Sequence, residues 1–286
     1  MKKRSIISDS ALDLSEELKG LSDVSFIPFK IDFPDRKFID TQDGDTKELM
    51  DFMHETSSIA TTSCPSPGEF LEAIEEKKDS DEIFILTISK GLSGSFNSAK
   101  TAVDMFLAEN PDKKVYVFDT ISASSGITIL YLKLVELINS ELEFEDIIKE
   151  MEKTIKKTQA LCSTEDFSQF IKSGRMNKIA ANFAQTINIM PVITLDEDGN
   201  IIVEKITRGN KSLVKGISEI IKNHTDSTED KILVISHNHA PDKAEMIIER
   251  IKKDHDFKEI YTVPMHMIVS TYVHYRGVIV GFEKDK

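Results

Sequence analysis

The chain has 286 residues and a formal net charge of −13, with 40% hydrophobic and 30% charged residues, which is typical of a folded globular protein. Its basic residues are interleaved with acidic ones, a pattern that disfavours binding to nucleic acid or to an anionic membrane surface. The basic N-terminus lacks the apolar run of a signal peptide, and no apolar run reaches the roughly 18 residues of a membrane span. The two cysteines show no metal-binding spacing. We therefore expect a cytoplasmic protein.

Short apolar runs alternate with longer amphipathic patterns along the chain. Runs rich in β-branched residues predict buried strands at 4–8, 24–31, 83–88, 115–118, 159–163, 232–236 and 259–264. Apolar residues at three- and four-residue spacing predict helices at 45–57, 67–77, 93–108, 125–140, 144–157, 210–224 and 240–254. This alternation predicts an α/β fold whose N-terminal part is a mostly parallel sheet with flanking helices.

One segment departs from that alternation and predicts antiparallel pairing. Two β-rich runs flank Asp198-Gly199 within residues 188–208, and Asp-Gly between such runs is a strong hairpin signal. The second half is therefore predicted to be a mixed α/β domain. The length is consistent with two domains, which we predict to be residues 1–158 and 159–286, although no linker rich in proline and glycine separates them.

Small polar residues are concentrated next to predicted strands. These clusters are Ser8 to Ser10, Ser89 to Ser95, Asp119 to Gly126, and the run Thr61-Thr62-Ser63 that leads into a helix. Ligands of open α/β sheets bind beyond the carboxyl ends of the strands, and helix N-termini there offer unpaired N–H groups to an anion. Helix capping explains any single cluster, because serine, threonine and aspartate are the preferred caps. The four clusters together favour one convergent polar site.

The residue types at these clusters favour a carboxylate over a nucleotide. The phosphate-binding patterns GxxxxGK[ST] and GxGxxG are both absent. Gly91-Leu92-Ser93-Gly94-Ser95 differs from GxSxG at one position, so hydrolysis of acyl esters by Ser93 is the enzymatic alternative, although no histidine has the sequence context of its base. His237 and His239 are compatible with a metal site, but a polar loop explains them better. We assign no catalytic residue, cofactor or metal.

Several short motifs resemble those of the DegV family of bacterial fatty-acid-binding proteins. Residues 62–70 (TSCPSPGEF) are similar to TSQPSPGEF, 88–99 (ISKGLSGSFNSA) to S-x-x-LSGTYQSA, 8–14 (SDSALDL) to TDSSADL, 119–124 (DTISAS) to DSKSAS, 167–175 (FSQFIKSGR) to LEYLKKGGR, and 190–193 (MPVI) to KPIL. Arg208 and Lys211 match a basic R-x-x-K pattern. The motifs follow the family order from about residue 6 to residue 213, and jointly they are specific.

The resemblance implies a two-domain α/β protein that buries an acyl chain and does no chemistry itself. It implies that Thr62 and Ser93 hold the carboxylate of a long-chain fatty acid. The residues implied to lie nearby are Ser63, Gly94, Ser95 and Arg175. It further implies that the bound fatty acid is presented to a separate fatty acid kinase. We expect contacts with the acyl chain within residues 176–190, although core packing explains any one residue there.

The C-terminal segment departs from the family pattern. The family commonly has a segment like THVGPGALG, where this chain has TYVHYRGV at residues 271–278. Tyr272 thus occupies the position of the head-group histidine and is expected to hydrogen-bond the carboxylate without neutralising it. If the segment is a strand, His274 shares a face with Tyr272 and competes for this role. The departure leaves open a third alternative, the binding of another amphiphile outside the kinase pathway.

Overall fold

The computed structural model describes residues 2–176 and 189–285, which form an alternating series of strands and helices. The first part contains β1 (Arg4–Asp9), α1 (Glu16–Lys19), β2 (Val24–Ile27), β3 (Lys30–Asp32), β4 (Lys37–Ile39), α2 (Thr46–Thr56), β5 (Thr61–Ser63), α3 (Pro67–Glu76), β6 (Glu82–Thr87), α4 (Ser95–Glu109), β7 (Lys114–Asp119), α5 (Ser125–Ile138) and α6 (Phe144–Lys157). The second part contains β8 (Thr158–Ser163), α7 (Ser168–Lys172), β9 (Ile189–Leu195), β10 (Ile201–Arg208), α8 (Gly209–His224), β11 (Ile232–His237), α9 (Pro241–Asp254), β12 (Glu259–Pro264), α10 (Met267–Val273) and β13 (Val278–Glu283).

The first sheet is four-stranded and parallel, with the strand order β2-β1-β6-β7. Its strands are apolar on both faces because helices cover both sides, as parallel sheets require. Ile7, Ile83 and Ile85 pack with residues of α3 and α4. Alternate residues, among them Ile6 and Phe84, pack with residues of α5 and α6. The predicted parallel sheet with flanking helices is thereby confirmed.

The second sheet is six-stranded and mixed, with the order β10-β9-β8-β13-β11-β12. Only β11 and β12 pair in parallel among the described strands of this sheet. The predicted hairpin is confirmed, because β9 and β10 are antiparallel and Gly199 in their turn has a φ of 82° that favours glycine. Helices α8 and α9 pack on one face of this sheet.

Helix α5 joins the two sheets, because it packs against β6 of the first and against β8, β11 and β13 of the second. Nearly all of its residues are buried. Two glycines allow the close approach, since a β-carbon on Gly281 would lie 2.7 Å from the carbonyl oxygen of Ser125, and one on Gly126 would lie 3.2 Å from Ala160 Cβ. One continuous apolar core therefore spans residues from both halves. The division at residue 158 stays a prediction.

A third, three-stranded antiparallel sheet has the order β4-β3-β5 and was not predicted. The prediction of one strand at 24–31 was wrong, because the chain breaks around Pro28 and its two parts join different sheets. Proline lacks an N–H donor and cannot continue a central ladder. The edge strand β5 carries Thr62 and Ser63, so this small sheet fixes part of the predicted polar site. Within the described residues, no helix combines the length and apolar character that crossing a membrane requires.

Candidate functional site

A cavity of about 300 Å³ lies where β5, the loop before α4, and helices α7 and α10 meet; we call it the amphipathic cavity. Its polar lining comprises Thr62, Ser63, Cys64, Ser93, Gly94, Arg175 and Tyr272. Its apolar lining comprises Phe29, Ile88, Leu92, Ala123, Phe170, Ile268, Val269, Val273 and Ile279. The structure therefore brings together six of the eight predicted site residues, and Ser95 and His274 lie elsewhere.

Tyr272 and Thr62 connect the two halves of the chain across this cavity. The Tyr272 hydroxyl lies 2.9 Å from Thr62 Oγ1, and either oxygen can donate in this bond. The Tyr272 ring packs 5.3 Å from the ring of Phe170, and the guanidinium carbon of Arg175 lies 6.0 Å from the Tyr272 ring centroid. The Tyr272 hydroxyl is therefore directed at Thr62, while the Arg175 guanidinium lies near its ring.

Ser93 lies directly before α4, a helix of 15 residues. Its Oγ accepts a hydrogen bond from the N–H of Ser95 at 3.3 Å and keeps its own hydrogen to donate. Gly94 at the N-cap provides no side-chain cap. The N-terminus of a helix carries a partial positive charge, so this end of the cavity suits an anion.

The motif at residues 62–70 has two roles: its first residues line the cavity, and its later residues form the N-terminal cap of α3. Thr62, Ser63 and Cys64 line the cavity. Ser66 starts α3 with a capping box, in which its Oγ accepts from the N–H of Glu69 and the Glu69 carboxylate accepts from the N–H of Ser66. The serine and glutamate of this motif thus serve the local fold.

Ser95, which the resemblance implies to lie near the carboxylate, does not line the cavity. Its side chain is fully buried, and its Oγ donates to Oδ2 of Asp9 at 2.6 Å. Asp9 also accepts from the N–H of Ile88 at 2.9 Å. Ser95 therefore attaches the start of α4 to the end of β1 and turns away from the cavity.

The expectation that His274 shares a face with Tyr272 was wrong, because this segment is a helix and not a strand. Tyr272 lies in α10, and His274 ends that helix with a φ of 56°. Residues two apart on a helix point about 200° away from each other. The His274 side chain accordingly lines a different cavity, together with Asp166 and Lys172.

The remaining histidines favour neither a hydrolase nor a metal centre. No histidine lines the amphipathic cavity within the described residues, so Ser93 lacks a neighbouring imidazole base there. His237 accepts a hydrogen bond from the N–H of Ala240 through Nδ1 at 3.3 Å, which is the role of a loop residue. Across residues 2–176 and 189–285, no three histidine, cysteine or acidic side chains are grouped as a metal site.

A second, smaller apolar cavity of about 60 Å³ adjoins the first; we call it the inner cavity. Both cavities are lined by Leu92, Ala123, Phe170 and Ile279. The inner cavity continues to Cys162, Ile193, Thr194, Leu195, Ile201 and Ala160 on the second sheet. Of the segment 176–190 where acyl contacts were expected, residues 177–188 lie outside the described residues. The apolar lining found here gave no sequence signal, because its periodicity is that of ordinary core residues.

Three buried carboxylates hold the loops behind the site. Asp9, Asp13 and Asp40 are at most 1% exposed. Asp13 accepts from the N–H of His266 at 2.8 Å, and Asp40 accepts from the N–H of Met267 at 2.7 Å, which fixes the start of α10. Burial raises the pKa of Asp9 to about 6, that of Asp13 to about 8 and that of Asp40 to about 7.

We expect the protein to lose stability as the pH rises from 6.5 to 8, with a fall of several degrees in the unfolding midpoint. Carboxyl groups whose pKa is raised by folding stabilise the protein fully below their ordinary pKa of 3.8, and this stabilisation is lost as the pH rises through about 6, 7 and 8. Burial lowers the pKa of His266 to about 4, which acts oppositely but only below pH 6.5. Circular dichroism melts of the wild type and Asp13→Asn measure this, and the variant should show a smaller pH slope. A midpoint that rises over this range contradicts the prediction.

Comparisons with known proteins agree with one another. A family model described as "Uncharacterised protein, DegV family" matches residues 3–284. A DegV domain-containing protein of Streptococcus gordonii is 31% identical over 282 residues, which cover 97% of this chain and 98% of that protein. The crystal structure of a DegV family protein from Ruminococcus gnavus, refined with vaccenic acid, has a TM-score of 0.91 at 28% identity and covers 97% of this chain and 99% of that one. The Fatty Acid Kinase (Fak) B3 protein of Streptococcus pneumoniae, loaded with linoleic acid, has a TM-score of 0.88 at 27% identity, with 99% and 100% coverage.

Proposed function

Since this chain belongs to the DegV family, we propose that it binds a long-chain fatty acid and does not transform it. The observation that carries the proposal is the amphipathic cavity, whose lining combines a polar group, in which Thr62 contacts Tyr272 and Arg175 lies near the Tyr272 ring, with a larger set of apolar side chains. Two similar structures, at 28% and 27% identity, hold vaccenic acid and linoleic acid. A fatty acid has the same division into a carboxylate and an apolar chain.

In this proposal the polar end of the cavity holds the carboxylate. Thr62 and Ser93 donate hydrogen bonds to it, Tyr272 adds a third hydroxyl, and Arg175 supplies a positive charge. Such charge-assisted bonds offset the cost of removing the carboxylate from water. The acyl chain runs past the apolar lining, where each buried methylene contributes about 0.8 kcal/mol. Ser63 and Gly94 form the rim beside these donors.

The proposal includes a fatty acid kinase as partner. Ser63, Gly94 and Arg175 at the polar end are exposed, whereas the inner cavity adjoins buried residues of the second sheet. A carboxylate bound at the exposed end is accessible to an enzyme that phosphorylates it. Acyl phosphate formed from the loaded protein, ATP and a bacterial fatty acid kinase would support this partner. A ligand that stays unphosphorylated would favour the alternative of another amphiphile outside the kinase pathway.

Among the described residues, no contact of Ser93 favours ester hydrolysis. Its Oγ bonds to the N–H of Ser95 and not to a base.

We also propose a cytoplasmic location, which rests on the two free cysteines, Cys64 and Cys162. The two-domain division at residue 158 is likewise a proposal, and the sheets on either side of it support it.

The function is tested by identifying what the protein carries. The chain is purified from a bacterial host, denatured and extracted with organic solvent, and the extract is analysed by mass spectrometry. We expect about one long-chain fatty acid per protein molecule. A protein that carries no acyl chain and also fails to bind added oleate would disprove the proposed function.

Tyr272 and His274 are distinguished by a pair of variants. We expect Tyr272→Phe to weaken fatty-acid binding by about tenfold, because the loss of a buried donor costs about 1–3 kcal/mol. We expect His274→Ala to leave this binding unchanged, because its side chain lines another cavity. Tyr272→His should retain binding, and only that variant should add the pH dependence of a histidine at this position.

Titration of each variant with oleate, followed by displacement of a fluorescent fatty acid, measures these affinities. If His274→Ala abolished binding while Tyr272→Phe had no effect, the head-group role would have to be reassigned to His274.

A further inference from the structure

Gln169 of α7 makes a contact between the two halves of the chain that the sequence did not predict. Its side chain is fully buried. Its Oε1 accepts a hydrogen bond from the N–H of Ala60 at 3.1 Å, and its Nε2 donates to the carbonyl oxygen of Ala60 at 2.9 Å. One amide thus bonds to both backbone groups of one residue, as a neighbouring strand does in an antiparallel sheet.

This amide is attached to the start of the strand that carries Thr62. Ala60 lies directly before β5 and two residues before Thr62. β5 has three residues, lies at the edge of its sheet, and pairs there with β3. So short an edge strand has few ladder bonds to fix its position. The two bonds from Gln169 therefore restrict how far this strand can shift.

A closed series of contacts joins the amide to the polar residues of the amphipathic cavity. Phe170 follows Gln169 on α7, and its ring packs 5.3 Å from the ring of Tyr272. The Tyr272 hydroxyl lies 2.9 Å from Thr62 Oγ1. From Thr62 the chain leads back to Ala60, whose backbone bonds to Gln169. Each member is held from two sides, so loss of the amide opens the series at one point.

We propose that Gln169 is a positioning residue for the carboxylate of the ligand: through Ala60 it holds Thr62 Oγ1 where this hydroxyl can donate to the carboxylate. The inference rests on the proposed function and adds to it a residue outside the described lining of the cavity. A donor that is held in place before binding loses less freedom when the ligand arrives, so its bond contributes more to affinity. The carboxylate gains most, because hydrogen bonds to a charged group are stronger than those to an alcohol.

The test compares oleate with oleyl alcohol, which has the same chain but no charge. Gln169→Met removes both hydrogen bonds and keeps an unbranched side chain of similar length. We expect this variant to bind oleate about tenfold more weakly and to bind oleyl alcohol with a change of less than about threefold. Displacement of a fluorescent fatty acid measures both affinities, and the ratio of the two reports the preference for the carboxylate.

A second measurement separates positioning from a general loosening of the fold. In the Thr62→Val background the hydroxyl that Gln169 positions is absent, so the addition of Gln169→Met should weaken oleate binding little further. Gln159→Met is the matched control. Gln159 is a partly buried glutamine of β8 whose Nε2 lies 3.4 Å from Thr194 Oγ1, and it lies outside the described lining of the amphipathic cavity. This control should leave the preference for oleate over oleyl alcohol unchanged.

If Gln169→Met does not fold, Gln169→Asn is measured in the same way. Its amide is one methylene shorter and cannot keep both bonds, so the preference for oleate should fall in the same direction. Two results would each overturn the inference: an unchanged ratio of the two affinities in the folded variant, or a loss of oleate affinity that adds in full to that of Thr62→Val. A wild type that does not bind oleate would instead disprove the proposed function.

Discussion

Ala123→Phe should reduce the affinity for fatty acids of about sixteen carbons by roughly a thousandfold. We expect the ring to keep about five methylenes of the acyl chain from being buried, and at about 0.8 kcal/mol each this loss amounts to about 4 kcal/mol. Ala123 lines both the amphipathic cavity and the inner cavity and thus lies at their junction. A phenyl ring there fills the passage and stops the chain before the second sheet. Displacement of a fluorescent fatty acid by chains of eight to about sixteen carbons measures the effect.

The control for this variant is Ala123→Ser, which adds little volume and should bind long chains nearly as the wild type does. If the phenylalanine variant fails to fold, Ala123→Leu provides a smaller obstruction and should weaken long chains more than short ones. A folded Ala123→Phe protein that binds long chains at full affinity would show that the acyl chain does not pass this junction.

The double variant Thr62→Val, Ser93→Ala should weaken fatty-acid binding by at least about thirtyfold, since two lost donors together cost at least about 2 kcal/mol. Each substitution removes one donor from a buried carboxylate, at a cost of about 1–3 kcal/mol. Both residues line the polar end of the amphipathic cavity, while valine keeps the shape of threonine. The single variants should couple, because the two hydroxyls would share one carboxylate.

Ser95→Ala is the matched control for the double variant. It removes a hydroxyl from the same loop, but this hydroxyl bonds to Asp9 and faces away from the cavity. It should lower the unfolding midpoint and leave the affinity of the folded protein nearly unchanged. Equal losses of affinity in Ser95→Ala and in the double variant would indicate that these hydroxyls act through the fold alone.

Long amphipathic helices and the hairpin were predictable from sequence because their signals are local. All seven predicted helices occur with ends within about two residues, which is the usual scatter of helix ends. The short α1, α7 and α10 have too few turns to give a periodic signal. The predicted strand at 24–31 is interrupted at Pro28. Its two parts pair in different sheets, which the sequence alone did not specify.

The polar end of the candidate site was predictable for a different reason. Thr62, Ser63, Ser93, Gly94, Arg175 and Tyr272 belong to motifs, and the structure places them around one cavity. Orientation was not predictable, because a serine at a helix start can cap, line a cavity or bond inward, as Ser95 does. The apolar lining was not predictable either, since residues such as Val269 and Ile279 differ from core residues only by the space beside them.

Helix α5 has a consequence for the synthesis of the protein. Apolar side chains lie on nearly every face of this helix, and β13, which follows it by more than a hundred residues in the chain, covers part of its surface. Ribosomes add roughly 5–20 residues per second, so the helix emerges on the order of ten seconds before its final partner. During that interval the part of Ser125–Ile138 that β13 covers is exposed on the nascent chain, and such an apolar surface is the kind that chaperones bind and that promotes aggregation.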